Sequence, residues 1–245
     1  ALIDKASLLM VPSTYEAGKL YNVLPSGNRA PDSTGENSGY DQTRADFDFD
    51  RGSNTAATRI GSDGLLKKYR ENKLLHSNQF DTTWSLSLAT LTSGQEGYDG
   101  TNNAWLLEST GTNARVNQSE TLDICNVSVY AKAGSVNFIR LSTAVANMNA
   151  YFDLANGTIG TLESGVIDAT IEAVGTTGWY RCSMTVSSSS QVRILVAQAD
   201  GDSTGTTGSI YIQSAQLESG LVSTDYLNST SVTGKAGVLV DLPRI

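Results

Sequence analysis

The feature that most constrains this chain is an alternation with a period of two. Cys125, Val127, Val129 and Ala131 share one face of an extended segment, and Asn126, Ser128, Tyr130 and Lys132 share the other. Tyr180, Cys182, Met184 and Val186 repeat the arrangement. Val192, Ile194 and Val196 stand against Gln191, Arg193 and Leu195, a strand that is apolar on part of both faces. Ile210 and Ile212 continue the series, but Tyr211, Ala215 and Leu217 move the apolar positions to the other parity, which predicts a bulge. Turn signals fall at Ala133-Gly134-Ser135, Asn156-Gly157, Gly175 to Gly178 and Asp200 to Gly208. Many short strands with one polar face, and no convincing amphipathic helix between them, predict an all-β, two-sheet antiparallel sandwich. Residues 65–75 (LLKKYRENKLL) are the one segment that reads as a helix, or equally as a connector.

Three regions follow. Residues 1–71 hold Pro12, Pro25 and Pro31, three of the four prolines, and a polar stretch from Ser26 to Gln42 that reads as loop. The short apolar runs Leu2-Ile3 and Leu8 to Val11 cannot hide themselves, and Phe47 and Phe49 share one face of a strand whose other side carries Asp46, Asp48 and Asp50. This region is expected to be an extended arm that folds against the main domain, a sister subunit or a neighbouring protein. Residues 72–227 are the sandwich. Residues 228–245 form a polar exit followed by Gly237 to Leu242 and Pro243-Arg244-Ile245, and are expected to dock into an assembly or to continue in a longer natural chain.

Hydrophobic residues make up 39% of the chain, enough to bury a core, while charged residues are only 17% and the net charge is −8. An acidic surface repels phosphate backbones, so nucleic acid is not an expected partner. No apolar run is long enough to span a bilayer and no signal peptide is visible, so the expectation is neither membrane insertion nor secretion but a cytosolic start. Cys125 and Cys182 sit in strand-like runs and read as small buried hydrophobes rather than a disulfide.

Asn78-Gln-Phe80 with Trp84, Ala104-Trp-Leu-Leu-Glu-Ser109, Val127 to Gly134, Gly178-Trp-Tyr-Arg-Cys-Ser183 and Gly208 to Glu218 come in a recognisable order. Together they resemble the CenC-like carbohydrate-binding jelly rolls, in the variant carried by phage tail-fibre and virion proteins. The flanks Ala1 to Leu20, Phe47 to Leu66 and Leu242-Pro-Arg-Ile245 are similar to segments that surround such domains in phage structural proteins. The resemblance implies a jelly roll, a glycan site on its concave sheet and a structural calcium. It also implies that Trp84 and Trp179 pack the sandwich. The stretch Tyr211 to Leu217, where such domains carry calcium-binding acids, offers Gln213 and Gln216 and no carboxylate, so no cofactor is expected. Asp200 and Asp202 are the weak candidates for a metal, two carboxylates where calcium needs more.

The chemistry of catalysis is not legible. His76 is the single histidine and reads as a surface or hinge residue. Neither a nucleophile elbow nor a phosphate-cradling loop occurs. The acids at 46, 48 and 50 read as a solvated strand face rather than a glycosidase pair. The expectation is therefore a protein that is not an enzyme. Sugars lay a pyranose face on an aromatic ring, with amides, acids and arginine reading the hydroxyls, and Tyr98, Trp105, Tyr130 and Arg140 are the candidate platform. The resulting expectation is a phage virion structural protein, a tail fibre or a head or tail decoration protein, whose jelly roll faces outward. Its partners would be other virion proteins reached through the arm, further copies of itself, with a trimer in view, and a host-surface glycan. The alternative is a glycan-binding module of a secreted or cell-surface protein.

Overall fold

A computed structural model of the chain describes residues 70–236, with the backbone of five short strands ahead of them. The chain divides into two compact units, Ala1–Tyr69 with Ala236–Ile245, and Arg70–Lys235. In the first, β1 (Pro12–Glu16), β2 (Lys19–Asn22) and β3 (Phe47–Asp48) make a three-stranded antiparallel sheet, and β4 (Thr58–Ile60) pairs with β5 (Leu66–Lys68). The expectations for the Ser26–Gln42 loop, Phe49 and the segment from Gly237 to Ile245 lie outside the described residues.

The second unit runs through β6 (Arg70–Asn72), β7 (Ser85–Ser87), β8 (Ala89–Gln95), β9 (Ala104–Ser109), β10 (Arg115–Gln118), β11 (Cys125–Ala133) and β12 (Phe138–Ser142). It continues through β13 (Asn149–Asp153), β14 (Thr158–Leu162), β15 (Val166–Val174), β16 (Trp179–Val186), β17 (Val192–Ala197), β18 (Ser209–Ser219) and β19 (Gly234–Ala236). Two six-stranded antiparallel sheets result, a first in the order β14-β13-β12-β17-β10-β7 and a second in the order β15-β16-β11-β18-β9-β8. Within them the spatial orders β10-β17-β12-β13 and β9-β18-β11-β16 are the double winding of a jelly roll. Among the described residues there is no helix.

The alternation explains the core. Cys125, Val127, Val129 and Ala131 from β11, Cys182, Met184 and Val186 from β16, and Val192, Ile194 and Val196 from β17 all turn inward and are essentially inaccessible. β18 delivers Ile210, Ile212, Ala215 and Leu217 to the same core. It changes parity through a bulge, because Tyr130 pairs with Gln213 while Ser128 pairs with Gln216, and Ser214 takes a positive φ of 55°. Trp84 and Trp179 are buried, the first with its Nε1–H donating to His76 O at 3.1 Å. Both cysteines are buried free thiols; Cys182 pairs with Val129, four residues along β11 from Cys125.

The helical reading of residues 65–75 is overturned: β5 and β6 are strands. Beyond Ile212, where β9 ends its pairing, the edge of β18 is completed by residues 72–78. Lys73 N–H donates to Leu217 O at 2.8 Å, and Ala215 N–H donates to Ser77 O at 2.9 Å. These tertiary hydrogen bonds outweigh a helix propensity worth only tenths of a kcal/mol per residue. The compact unit also takes in residues 228–235, where Ser229 Oγ donates to Leu74 O at 2.5 Å and β19 pairs with β6.

Candidate functional site

The four residues of the predicted platform do not converge. Trp105 is 9% exposed and belongs to the core, with Nε1–H donating to Asn78 O at 3.0 Å and its ring edge-on to Phe80. In β9 it points inward, so alternation excludes it from a surface. Arg140 lies in β12 of the first sheet, whereas Tyr130 lies in β11 of the second. Only Tyr98 and Tyr130 meet. Their rings stack with centroids 3.9 Å apart and 11° between planes. Gln213 holds this arrangement from below, accepting from Tyr98 N–H at 3.1 Å and donating to Asp99 at 3.2 Å.

Tyr130 is not an open platform. Tyr98 stacks on it, Tyr226 meets it edge-on at 6.5 Å, and the Arg181 guanidinium stands 5.6 Å from its ring centroid. Burial raises the pKa of its phenol, against the pull of the Arg181 charge, so the hydroxyl stays protonated at neutral pH.

Arg181 leads to a site that the sequence did not disclose. The outward residues of β11, β16 and β15 align in three rows: Tyr130–Arg181–Glu172, Ser128–Ser183–Thr170 and Asn126–Thr185–Asp168. A strap, residues 221–227, crosses this face above β18 and β11. Buried Glu218 accepts from Thr224 N and Oγ1, each at 2.7 Å, and Gln216 accepts from Leu227 N at 2.7 Å. Arg181 Nη2 donates to Thr224 O, and Thr185 Oγ1 donates to Leu221 O at 2.9 Å. Between the strap and β15 lies a cleft of about 320 Å3. Its floor offers hydroxyls from Thr170, Ser183 and Thr185, the carboxylates of Asp168 and Glu172, and the Arg181 guanidinium, and its rim offers the exposed apolar side chains of Leu221 and Val222.

Among the residues that line this cleft, Asn126 Oδ1 and the Nε groups of Arg70 and Arg181 are buried without a hydrogen-bond partner. Asn126 is 2% exposed; its Nδ2 donates to Thr185 Oγ1 at 2.9 Å, but its Oδ1 accepts nothing. A buried amide oxygen left unpaired costs about 1–3 kcal/mol, so it favours any donor that enters. Donors and acceptors side by side under an apolar rim suit a polyhydroxyl ligand. No sequence signal pointed to Asn126 or Asp168, because their adjacency depends on pairing between strands more than forty residues apart.

The two candidate metal ligands are occupied in holding a loop. Asp202 accepts from Gln198 N at 3.0 Å, Thr204 N at 2.8 Å and Gly205 N at 3.1 Å. Partial burial pushes its carboxyl up, but those hydrogen bonds outweigh it and bring the pKa down to about 2. Asp200 reaches β14 instead, accepting from Thr161 N at 2.6 Å and Thr161 Oγ1 at 3.0 Å. Among the described residues, no group of three or more His, Cys, Asp or Glu side chains converges as a metal site would require. His76 is half-buried at a positive φ of 47°, with Nδ1 2.7 Å from Gln79 Oε1.

No protein-family model and no curated protein matches the chain. Among solved structures, the enzymatically active domain of tailspike protein 4 of bacteriophage CBA120 aligns over 62% of this chain, at 14% identity and a TM-score of 0.34. That alignment spans 21% of the tailspike chain. TmCBM61, solved in complex with β-1,4-galactotriose, aligns over 60% of this chain and 97% of its own, at 10% identity and a TM-score of 0.33.

Proposed function

We propose that the sandwich unit binds a saccharide in the cleft between β15, β16, β11 and the strap, and performs no chemistry on it. The observation that carries this reading is the unpartnered Oδ1 of Asn126, buried on a floor of hydroxyls, carboxylates and a guanidinium. A sugar hydroxyl would donate to it while Asp168, Glu172 and Arg181 engaged the neighbouring hydroxyls and Leu221 and Val222 covered a C–H face. The cleft is at the small end of ligand pockets, which suits one or two sugar rings.

We further propose that this module is displayed by a phage virion structural protein, a tail fibre or a decoration protein. Residues 1–71 would then attach it to other virion proteins or to further copies of the chain. The order of the quoted motifs and the flanks on either side of them support that assignment.

The test is a surface-polysaccharide array followed by titration calorimetry on the best hit, with wild type and Asp168→Ala. Asp168 is exposed, so its loss leaves the fold intact. The expected result is a saccharide hit that Asp168→Ala weakens about tenfold or more, a lost charged hydrogen bond. An array without a hit, or one whose hits ignore the substitution, sinks the cleft assignment. Turnover of the bound glycan would sink the non-catalytic part.

A further inference from the structure

The outer face of the first sheet carries a second feature, independent of the cleft because it lies on the opposite side of the sandwich. Strand register places Arg115, Leu195 and Arg140 in one row across β10, β17 and β12, and Asn117, Arg193 and Ser142 in the next. Residues two apart on a strand share a face, so all three arginines stand on this surface. They converge further. Arg115 Nη1 donates to Asn113 O at 3.2 Å and Arg140 Nη2 donates to Asn113 Oδ1 at 3.1 Å, which brings two guanidinium groups to one residue over Leu195, itself 2% exposed.

Like charges held together need a reason in a chain whose net charge is −8. Among the described residues, no carboxylate lies within ion-pair distance of Arg115, Arg140 or Arg193. Acids at the borders of the sheet are committed elsewhere: Glu163 accepts from Asn149, Asp153 from Ala155 and Asn156, and Asp202, next to Ser203, from Gln198, Thr204 and Gly205. Burial and the charges of Arg115 and Arg140 lower the pKa of Arg193, and no acid opposes them. Both terminal nitrogens of Arg140 are engaged, since its Nη1 also donates to Ser203 O at 3.1 Å, while its buried Nε has no partner among the described residues. Among the described residues, the side-chain hydrogen bonds of Arg115 and Arg193 go to Asn113 O and to Gln191 Oε1, which leaves terminal nitrogens of both without a partner there. Asn117 stands between them, 8% exposed and, among the described residues, without a side-chain hydrogen bond.

We infer that the square formed by Arg115, Asn117, Arg193 and Leu195 is a binding site for the carboxylate of an acidic polysaccharide. Two guanidinium groups supply charge-assisted donors in the fork geometry a carboxylate accepts, and Asn117 adds an amide. Ser85, Ser87, Ser142 and Asn149 continue the two rows with groups that suit the hydroxyls of adjoining sugar rings. A nucleic acid fits less well. The net charge of −8 disfavours every polyanion alike, but Tyr151 beneath Arg140 is too buried, at 2% exposed, to stack a base.

The test uses the full chain in affinity electrophoresis through gels containing polygalacturonate, alginate or hyaluronate, with fully methyl-esterified pectin and polythymidylate as comparisons. At least one acidic polysaccharide is expected to retard the wild type, the esterified polymer is not, and added salt should weaken the effect. Arg115→Gln/Arg193→Gln is expected to lose retardation by tenfold or more in apparent affinity, while Lys132→Gln, the loss of one positive charge on the second sheet, leaves it unchanged. Tryptophan fluorescence checks that the double variant folds; if it does not, Arg193→Gln alone decides. No retardation by any acidic polymer, equal retardation by esterified pectin or by polythymidylate, or full retention in the variant would each overturn the site. The cleft assignment survives any of these outcomes, because its own readout is Asp168→Ala on the array.

Discussion

Asn72 offers the most demanding test of how the sandwich holds together. Its side chain is fully buried and makes four hydrogen bonds, all to backbone. Nδ2 donates to Ala215 O at 3.0 Å and to Leu227 O at 2.9 Å, while Oδ1 accepts from Leu74 N at 3.2 Å and Leu217 N at 3.1 Å. One amide therefore ties the start of the unit to the bulged part of β18 and to the end of the strap that walls the cleft. Asn72→Ala takes a partner from two buried N–H groups, the buried Ala215 C=O and the half-buried Leu227 C=O. At a net value near 1 kcal/mol for each bond, the variant loses about 4 kcal/mol, a large part of what a domain of this size has. All three tryptophans, Trp84, Trp105 and Trp179, lie in this unit, so urea unfolding followed by tryptophan fluorescence reads it alone. With a urea slope of about 2 kcal/mol/M, the midpoint should fall by about 2 M with the slope unchanged. Asn72→Asp should be worse at pH 7, because it turns two donors into a buried negative charge facing two carbonyls. Burial raises the folded-state pKa of that acid, so the gap should narrow as pH falls toward the ordinary carboxylate range and be smallest below it, where the neutral acid regains one donor. A midpoint shift under about 0.5 M in Asn72→Ala would refute the reasoning, since it would mean that these four backbone groups find water or each other at almost no cost.

Two further outcomes follow from the loop and the thiols. Asp202 has its carboxyl depressed from 3.8 to about 2, so its contribution is fully present above the unfolded value and is lost as pH falls from about 4 toward 2. Discounted for its contact with solvent, this is roughly 1–2 kcal/mol; Asp202→Asn should remove that part of the acid dependence in thermal melts, and an unchanged pH profile would contradict it. Cys182 is wholly inaccessible and its burial pushes the thiol far up, while burial and then Asp123 push Cys125 up to about 11. Neither thiol should react with a maleimide at pH 8 in the native protein and both should react in urea; a fast native thiol would show that the core opens.

The sequence determined the sandwich because alternation is a local property. A strand with apolar residues at every second position has one face to bury, whatever pairs with it. That is why Cys125 to Ala131, Cys182 to Val186 and the parity change in β18 were legible before any pairing was known. The turns at 133–135, 156–157 and 175–178 were legible for the same reason, since glycine and asparagine solve local backbone problems. Strands β14 and β15 were harder to see. Their patterns are exposed at most positions, as at Thr158 and Ile159 or Ile167 and Asp168, and an edge strand answers to little beyond its single neighbour.

What only the tertiary structure decided is which outward faces meet, and what lies over them. Tyr130, Arg181 and Glu172 form one row only through registers between distant strands, and so do Arg115, Leu195 and Arg140. Trp105, Tyr130 and Arg140 carry the right chemistry for a shared site, but inward direction removes the first and sheet membership separates the other two. The helical pattern of residues 65–75 gave way because the free edge of β18 needed hydrogen-bonding partners, a demand no local window contains. Alternation fixes the side of a strand on which a residue stands, and non-local pairing fixes its neighbours; a binding site is made of neighbours.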